Sequence, residues 1–296
     1  MQIGQLIAEK AASDTPFVSL EFFPPAAEEQ LPAFYETVEA LRALDPLFVS
    51  VTYGAGGARQ YNTLAATAEL ARRGFTTMAH LTCVGAEPER IADFLGQLRA
   101  AGVDNILALR GDPPKDSVWD WESGHFRHAA DLVRFVRTTQ PEMGIAVAAY
   151  PAPHPESPSY RLDRQYTAAK LQAGADFAVT QLFFDAREYA VLVESLHAHG
   201  VSAPVIPGIF SIQSFESFRR VLSLCGASIP AKFYLALEEA HHKGGNAAVR
   251  ETGLAFAVEQ IRQLLALGAP GIHLYTLNKA QLCLQIARET GLAKTA

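Results

Sequence analysis

Eight short apolar runs, each followed by a stretch with helical spacing, limit what this chain can fold into. The runs occupy residues 17–25, 48–54, 76–83, 105–114, 145–151, 177–184, 205–210 and 271–277. Between them apolar residues recur three and four apart, as Leu31, Phe34, Val38 and Leu41 do, which is the period of a helix packed on one face. The spacing predicts helices at 29–44, 60–73, 88–101, 127–139, 160–173 and 186–199, then at 214–225, 231–240 and 246–267 before the last run and 279–290 after it. A leading helix over 1–14 carries Ile3, Leu6 and Ile7 on one side. Strict strand–helix alternation implies parallel strands joined by right-handed crossovers. Eight such units in 296 residues fit one (β/α)8 barrel, an α/β fold, with an extra N-terminal helix and extra helices before the last strand. No linker or low-complexity segment interrupts the pattern, so residues 1–296 read as a single domain.

The competing architecture is an open doubly wound sheet, and the glycines argue against it. That fold binds dinucleotides through G-x-G-x-x-G between its first strand and first helix. Here the first run ends in Phe22-Phe-Pro-Pro25, and the cluster Gly54-Ala-Gly-Gly57 follows the second run with the wrong spacing. No Gly-Lys-Ser/Thr phosphate loop occurs either.

Composition excludes several classes. A formal net charge of −6 with no basic run leaves no footprint for nucleic acid. No run approaches the roughly 18 consecutive apolar residues of a membrane span. The start, Met1-Gln-Ile-Gly-Gln-Leu6, lacks the cationic then apolar order of a signal peptide. Cys83, Cys225 and Cys283 are far apart in sequence, which suits a reducing cytoplasm and argues against a cysteine-built metal or iron–sulfur site. A cytoplasmic protein is the expectation.

Barrel enzymes work at the C-terminal ends of their strands, so polar residues at the ends of the runs are the candidates for chemistry. They are Glu21, Thr52, His80, Arg110 with Asp112, Tyr150 with His154, Gln181, and Tyr275 with Asn278 and Lys279. Glu21 is the sharpest, a carboxylate near the exit of a buried strand that Pro24 and Pro25 terminate. Alternation puts Val18, Leu20 and Phe22 on one face and Ser19, Glu21 and Phe23 on the other. The same parity is taken to set Thr52, Arg110, Asp112 and Gln181 opposite the bulky apolar residues of their strands. Each residue also has a plainer role open to it: Arg110 and Asp112 as an internal ion pair, His80 and His154 as hydrogen-bonded structural histidines, Phe215 as helix core. A metal-dependent barrel lyase or hydrolase using Glu21, Asp112 and His80 is a second functional reading, weakened because no His-x-His pair ends a strand.

Taken together, Glu21-Phe-Phe-Pro-Pro25, Val51-Thr-Tyr-Gly-Ala55, His80-Leu-Thr-Cys83, Arg110-Gly-Asp112, Ala149-Tyr-Pro151 with His154-Pro-Glu156, Thr180-Gln-Leu-Phe-Phe-Asp185, Ile206-Pro-Gly-Ile209 and Leu274-Tyr-Thr-Leu-Asn-Lys279 resemble the motifs of methylenetetrahydrofolate reductases. The match runs in order from the first strand to the last. At this size, without the long C-terminal regulatory region of the eukaryotic enzymes, the chain resembles the bacterial type.

The resemblance implies an FAD enzyme in which NADH or NADPH reduces the flavin, leaves, and is replaced by 5,10-methylenetetrahydrofolate. It implies Glu21 as general acid at folate N10. Shielding by Phe22 and Phe23 would desolvate that acid, as work near neutrality requires. It implies Asp112 near flavin and folate, and Gln181 and Phe215 as contacts to folate or nicotinamide. Thr52, Tyr53, Ala55, His80, Arg110, Gly111, Ala129, Tyr150, His154, Asp163, Tyr166 and Lys170 correspond to FAD contacts, with Arg110, His154 and Lys170 suited to its phosphates. Lys279 corresponds to a folate-carboxylate contact. It stands where the family commonly has Arg, keeping the charge without the bidentate fork, and Tyr166 stands where Asn is usual. The loop 115–126, with Trp119 and Trp121, is unfamiliar. The expected partners are the folate, NAD(P)H and further copies of the chain, as a homo-oligomer. A non-catalytic paralogue, or the same folate chemistry fed by a partner protein, are the remaining alternatives.

Overall fold

A computed structural model describes residues 1–53, 58–113, 120 and 124–293. Nine parallel strands are found among them: β1 (Phe17–Phe22), β2 (Val49–Val51), β3 (Thr77–Thr82), β4 (Asn105–Leu109), β5 (Gly144–Ala149), β6 (Phe177–Thr180), β7 (Val205–Ile206), β8 (Gly208–Phe210) and β9 (Gly271–Tyr275). Their order is β7-β6-β5-β4-β3-β2-β1-β9-β8. The ninth strand arises because the seventh run is cut at Pro207. Proline has no N–H to donate, so β7 pairs with β6, β8 pairs with β9, and the chain itself closes the barrel between them. The Pro207 carbonyl still accepts from His273 N at 2.9 Å. The sixth strand stops at Thr180 instead of 184, and Leu182 and Phe184 turn into a satellite cluster.

The helices are α1 (Ile3–Ala12), α2 (Leu31–Leu41), α3 (Ala58–Arg72), α4 (Pro88–Ala100), α5 (Ala129–Thr139), α6 (Tyr160–Gln172), α7 (Ala186–Ala198), α8 (Phe215–Cys225), α9 (Ala231–Ala266) and α10 (Ala280–Glu289). Helix α9 joins the two predicted helices 231–240 and 246–267 end to end, with non-helical dihedrals at Gly244 and Gly245 marking the division. None of the described helices is long and apolar enough to cross a membrane.

Strand alternation sorts the core. Val18, Leu20 and Phe22 of β1, with Val49 and Val51 of β2, face outward into the main core under the helices. Phe17, Phe48, Met78, Phe177 and Ile206 face inward and plug the lower barrel. Helix α1 seals that end: Ile3 and Ile7 are fully buried against the plug, each burial contributing about 1.5–3 kcal/mol. It is tied down where Ile3 N donates to Asn105 Oδ1 (2.8 Å) and the Met1 ammonium pairs with Asp104 (2.7 Å). With the bottom closed by apolar packing, the open end of the barrel is the C-terminal one.

Gly208, just past the break, has no room for a side chain. A Cβ there would lie 2.5 Å from the Thr180 carbonyl oxygen and 2.6 Å from the Tyr275 hydroxyl. Gly208→Ala should therefore destabilise by about 1–3 kcal/mol, the range for overpacking a tight interior. Equilibrium denaturant unfolding checks this, and an unchanged midpoint would contradict it.

Candidate active site

The strand register assembles the floor of the mouth. Ser19 pairs with His273 and Glu21 with Tyr275 across β1 and β9, while Glu21 also pairs with Ser50 across β1 and β2. All five point inward, because parallel neighbours in register share a face. Ser19 Oγ lies 2.8 Å from His273 Nδ1 and donates to the Ile272 carbonyl at 3.1 Å. Above them Glu21, 8% exposed, sets Oε2 at 3.5 Å from His80 Nε2 and 3.8 Å from His273 Nε2. Burial pushes the His80 imidazole down to about 4, against the smaller opposing pull of the Glu21 charge, so this ring is neutral at physiological pH. Its Nε2 is buried and has no hydrogen-bond partner among the described residues. The Tyr275 phenol donates to the Thr180 carbonyl, and burial followed by the Glu21 charge raises it well above its ordinary value.

Above this floor opens a cavity of about 290 Å³. Leu107, Leu109, Ala148 and Val179 form apolar walls, and Thr52, Gln181, Arg110, Asp112, Tyr150 and His154 supply polar groups. The carboxamide oxygen of Gln181 is taken by the Leu182 N–H at 2.9 Å, so what it offers a ligand is its NH2. At the rim, Arg110 pairs with Glu156 at 2.6 Å, the latter 55% exposed. His154 packs edge-on against Tyr150 at 5.0 Å. Burial, then the Arg110 charge, lowers the His154 imidazole, and burial raises Tyr150 to about 12.

The loop carrying Tyr150 and His154 is held from α6. Buried Arg164 donates to the carbonyls of Tyr150 and Pro151, and Asp163 accepts from His154 N at 3.1 Å. Arg110 and Asp112 reach the mouth by another route than the one parity suggested. On β4 the inward residues are Leu107 and Leu109, while Ile106 and Ala108 face the helices; parity alone would send Arg110 and Asp112 outward. The strand ends at Leu109, and Gly111, at φ +84° with no space for a Cβ beside Thr82, turns the chain back over the cavity. Gln181 likewise shares its face with Phe177 and Val179 rather than opposing them; those two fill the barrel below it. Nor do the phenylalanines beside Glu21 shield it: Phe22 faces outward onto Phe34, and Phe23 is 42% exposed.

Nine of the predicted site residues line this cavity: Glu21, Thr52, His80, Arg110, Gly111, Asp112, Tyr150, His154 and Gln181. Others stand behind it. Lys170 donates to the Ala148 carbonyl, and burial lowers it to about 8. Tyr53 sets its ring edge against Phe94 at 6.4 Å. Ala129 opens α5, and Tyr166 is exposed beside His128. Two lie elsewhere. Phe215 is buried in the α8–α9 cluster, its ring stacked on His241 at 5.2 Å, and Lys279 is exposed at the start of α10. Ala55, Trp119 and Trp121 are outside the described residues. Sequence reasoning missed His273, Ser19 and Ser50. The signal was available: each has the inward parity of Glu21 or Tyr275 within an apolar run.

Comparison with known proteins bears on what this mouth does. A profile of the family described as "Methylenetetrahydrofolate reductase" matches residues 6–291. A rice protein named "Probable methylenetetrahydrofolate reductase (NADH)" is 35% identical over 308 residues, covering 99% of this chain and 51% of that one. A Caenorhabditis elegans protein named "Probable methylenetetrahydrofolate reductase (NADPH)" is 36% identical over 301 residues, covering 99% and 44%. The chain thus spans about half the length of these relatives. A "5,10-methylenetetrahydrofolate reductase" of Pectobacterium carotovorum is 30% identical over 276 residues, covering 93% of this chain and 90% of that one. Among solved structures, a Clostridium thermocellum protein described as binding two copies of 5-methyl-5,6,7,8-tetrahydrofolic acid aligns over 97% of this chain and 99% of its own. Its TM-score is 0.68 at 13% identity, which speaks to the barrel fold alone.

The His80 environment carries a signed prediction. Its folded value near 4 lies below the ordinary 6.5, so the unfolded chain binds a proton first as pH falls. His80 therefore costs no stability above pH 6.5 and erodes it progressively as pH drops from 6.5 towards 4. Replacing it by Asn should flatten that part of the stability–pH curve, measured by urea unfolding across the window. An equally steep decline in the variant would overturn the assignment.

Proposed function

The chain belongs to the methylenetetrahydrofolate reductase family, and from that premise we propose that it reduces 5,10-methylenetetrahydrofolate to 5-methyltetrahydrofolate with electrons from NADH or NADPH. The observation that carries the reading is Glu21, a mostly buried carboxylate on the floor of a strand-end cavity with polar groups above it. FAD, the cofactor the family implies, supplies when bound a two-electron carrier between nicotinamide and folate.

The residues present suit that cofactor. The cavity, about 290 Å³, is at the lower edge of small-molecule sites, which span ~300–1,000 Å³. It takes a flat ring system and leaves a dinucleotide's remainder to run out over the rim. Its walls are apolar with a few polar groups, and His80 Nε2 is a buried nitrogen in want of a partner. At the rim Arg110 and His154 meet a pyrophosphate, with half-exposed Glu156 giving way as a weakly held surface partner. Thr52, Tyr53, Ala55 and Gly111 would border the ring end. Ala129, Asp163, Tyr166 and Lys170 would support the loop and helix starts towards the adenine end.

One cavity serves both substrates in turn, in ping-pong order, because its floor has space for one ring on the cofactor. Glu21 holds a proton for N10 of the folate, whose protonation opens the five-membered ring and leaves the one-carbon unit ready to accept hydride. Gln181 donates its NH2 to a carbonyl of the pterin or of the nicotinamide carboxamide. Asp112, exposed at the rim, accepts from the pterin amino group. Lys279 and Phe215 are too far from the floor in this arrangement to act on the reacting atoms, and they contact the folate only if α8 and the start of α10 approach it on binding.

Two measurements test the reading. Purified under anaerobic conditions, the protein should show a flavin spectrum that NADH or NADPH bleaches and methylenetetrahydrofolate restores; absence of flavin uptake would sink it. Glu21→Gln should retain flavin and nicotinamide-driven bleaching while losing about 10²–10⁴-fold in the folate step, the usual worth of a positioned general acid.

A further inference from the structure

Beneath Glu21 the barrel buries an imidazole for which the steps above have no use. His273 is fully buried in the middle of β9, stacked on Phe48 at 5.6 Å and edge-on to Tyr275 at 5.6 Å. Neither ring can move without disturbing the plug. A buried histidine needs partners for both nitrogens, and what the partners are decides which nitrogen carries the proton.

Ser19 decides it. Its Oγ sits 3.1 Å from the Ile272 carbonyl and 2.8 Å from His273 Nδ1. A carbonyl can only accept, so the one hydroxyl hydrogen goes to Ile272. The contact to Nδ1 is then a hydrogen bond only if Nδ1 is the donor. That leaves a lone pair on Nε2, which faces Ser50 Oγ at 3.4 Å and Glu21 Oε2 at 3.8 Å. A lone pair repels an ionised carboxylate and accepts from a protonated one.

We propose that His273 is a positioning residue for the folate step: held by Ser19 as the Nδ1–H tautomer, it presents its Nε2 lone pair to Glu21 and keeps the transferable proton on that carboxyl until folate N10 takes it. The inference rests on the reading of Glu21 as the folate acid. The proton passes from the Glu21 carboxyl to N10, leaving the carboxylate, and solvent at the open mouth returns one to Glu21 in each cycle. Other titratable groups face the same carboxyl or line the same cavity. His80 approaches Oε2 from β3 at 3.5 Å. Tyr275 on β9 has its hydrogen committed to Thr180. Arg110, Asp112, Tyr150 and His154 stand higher on the wall.

The tautomer is measured directly. In the full chain with ¹⁵N-labelled histidine and no added cofactor, His273, assigned by its loss in His273→Gln, should show a protonated Nδ1 and an unprotonated Nε2 between about pH 6 and 8. A protonated Nε2 in the wild type would overturn the proposal. In the FAD-loaded protein, single-turnover oxidation by methylenetetrahydrofolate should fall off at high pH in the wild type. With Ser19→Ala that fall should move about one pH unit lower, roughly a tenfold slower folate step above it, and Ser19→Thr, which keeps the hydroxyl, should move it back. A folded, flavin-binding Ser19→Ala with an unmoved pH profile would also overturn the proposal. Glu21→Gln separates the two failures. If it still reduces folate, the reading of Glu21 as the acid falls; if it does not and the Ser19→Ala profile stays put, only the role of His273 falls. Should Ser19→Ala not fold, the wild-type tautomer decides alone.

Discussion

A carboxylate taken out of water at the end of a barrel strand is the constraint around which the mouth is built. Burying a charge is costly unless something answers it. Glu21 is answered from three sides by the barrel register. Its carboxyl faces the imidazoles of His80 and His273, and its backbone carbonyl accepts both the N–H and, at 2.6 Å, the hydroxyl of Thr276. The exit of its strand is clamped where Asn278 bonds both backbone groups of Phe23. None of this depends on a mobile surface side chain. It follows from β1, β2, β3 and β9 lying in parallel register, with alternate residues forced inward.

The same register explains why the polar layer is where it is. Below Glu21 the interior is closed by Phe17, Phe48, Met78 and Phe177 with α1 across the end, so no water path is needed there. Above it the strands stop, and the polar ends of the chain take over. Between the two, space is short. Gly208 is what allows the Tyr275 hydroxyl to reach the Thr180 carbonyl, and the interruption at Pro207 sets that glycine at the point where the barrel closes. The strand break, the buried phenol and the shape of the floor are therefore one feature.

Much of this was legible before any coordinates. The barrel, its helix count and the mouth-lining residues at six strand ends follow from periodicity and from where strand runs stop. The readings that failed did so for identifiable reasons. Arg110 and Asp112 were placed by extending strand parity past the strand, whereas Gly111 turns the chain there. Phe22 was taken to shield Glu21, although its parity sends it to the opposite face. Phe215 was read as a mouth residue from its place after the seventh run, but α8 packs it onto α9 against His241, a long-range contact that local spacing does not encode. His273 went unread for the opposite reason: a lone histidine inside an apolar strand looks like core until the register shows a serine on one side and a carboxylate on the other.

The choice of imidazoles as neighbours has a chemical logic. A lysine or arginine against Glu21 would answer its burial more strongly, but it would also hold the carboxylate ionised, and an ionised Glu21 has no proton to give. A wholly apolar wall would keep the proton and leave nothing to receive the charge after transfer. Neutral imidazoles satisfy both demands, since each ring nitrogen is a donor or an acceptor according to its tautomer. His80, driven neutral by burial, stands at the cavity side with an unpartnered Nε2. His273, locked from below by Ser19, stands on the other side of the same oxygen. One ring is free to change its hydrogen-bonding role when a ligand arrives, and the other is not. That asymmetry lets a single floor hold a proton through one half-reaction and release it in the next.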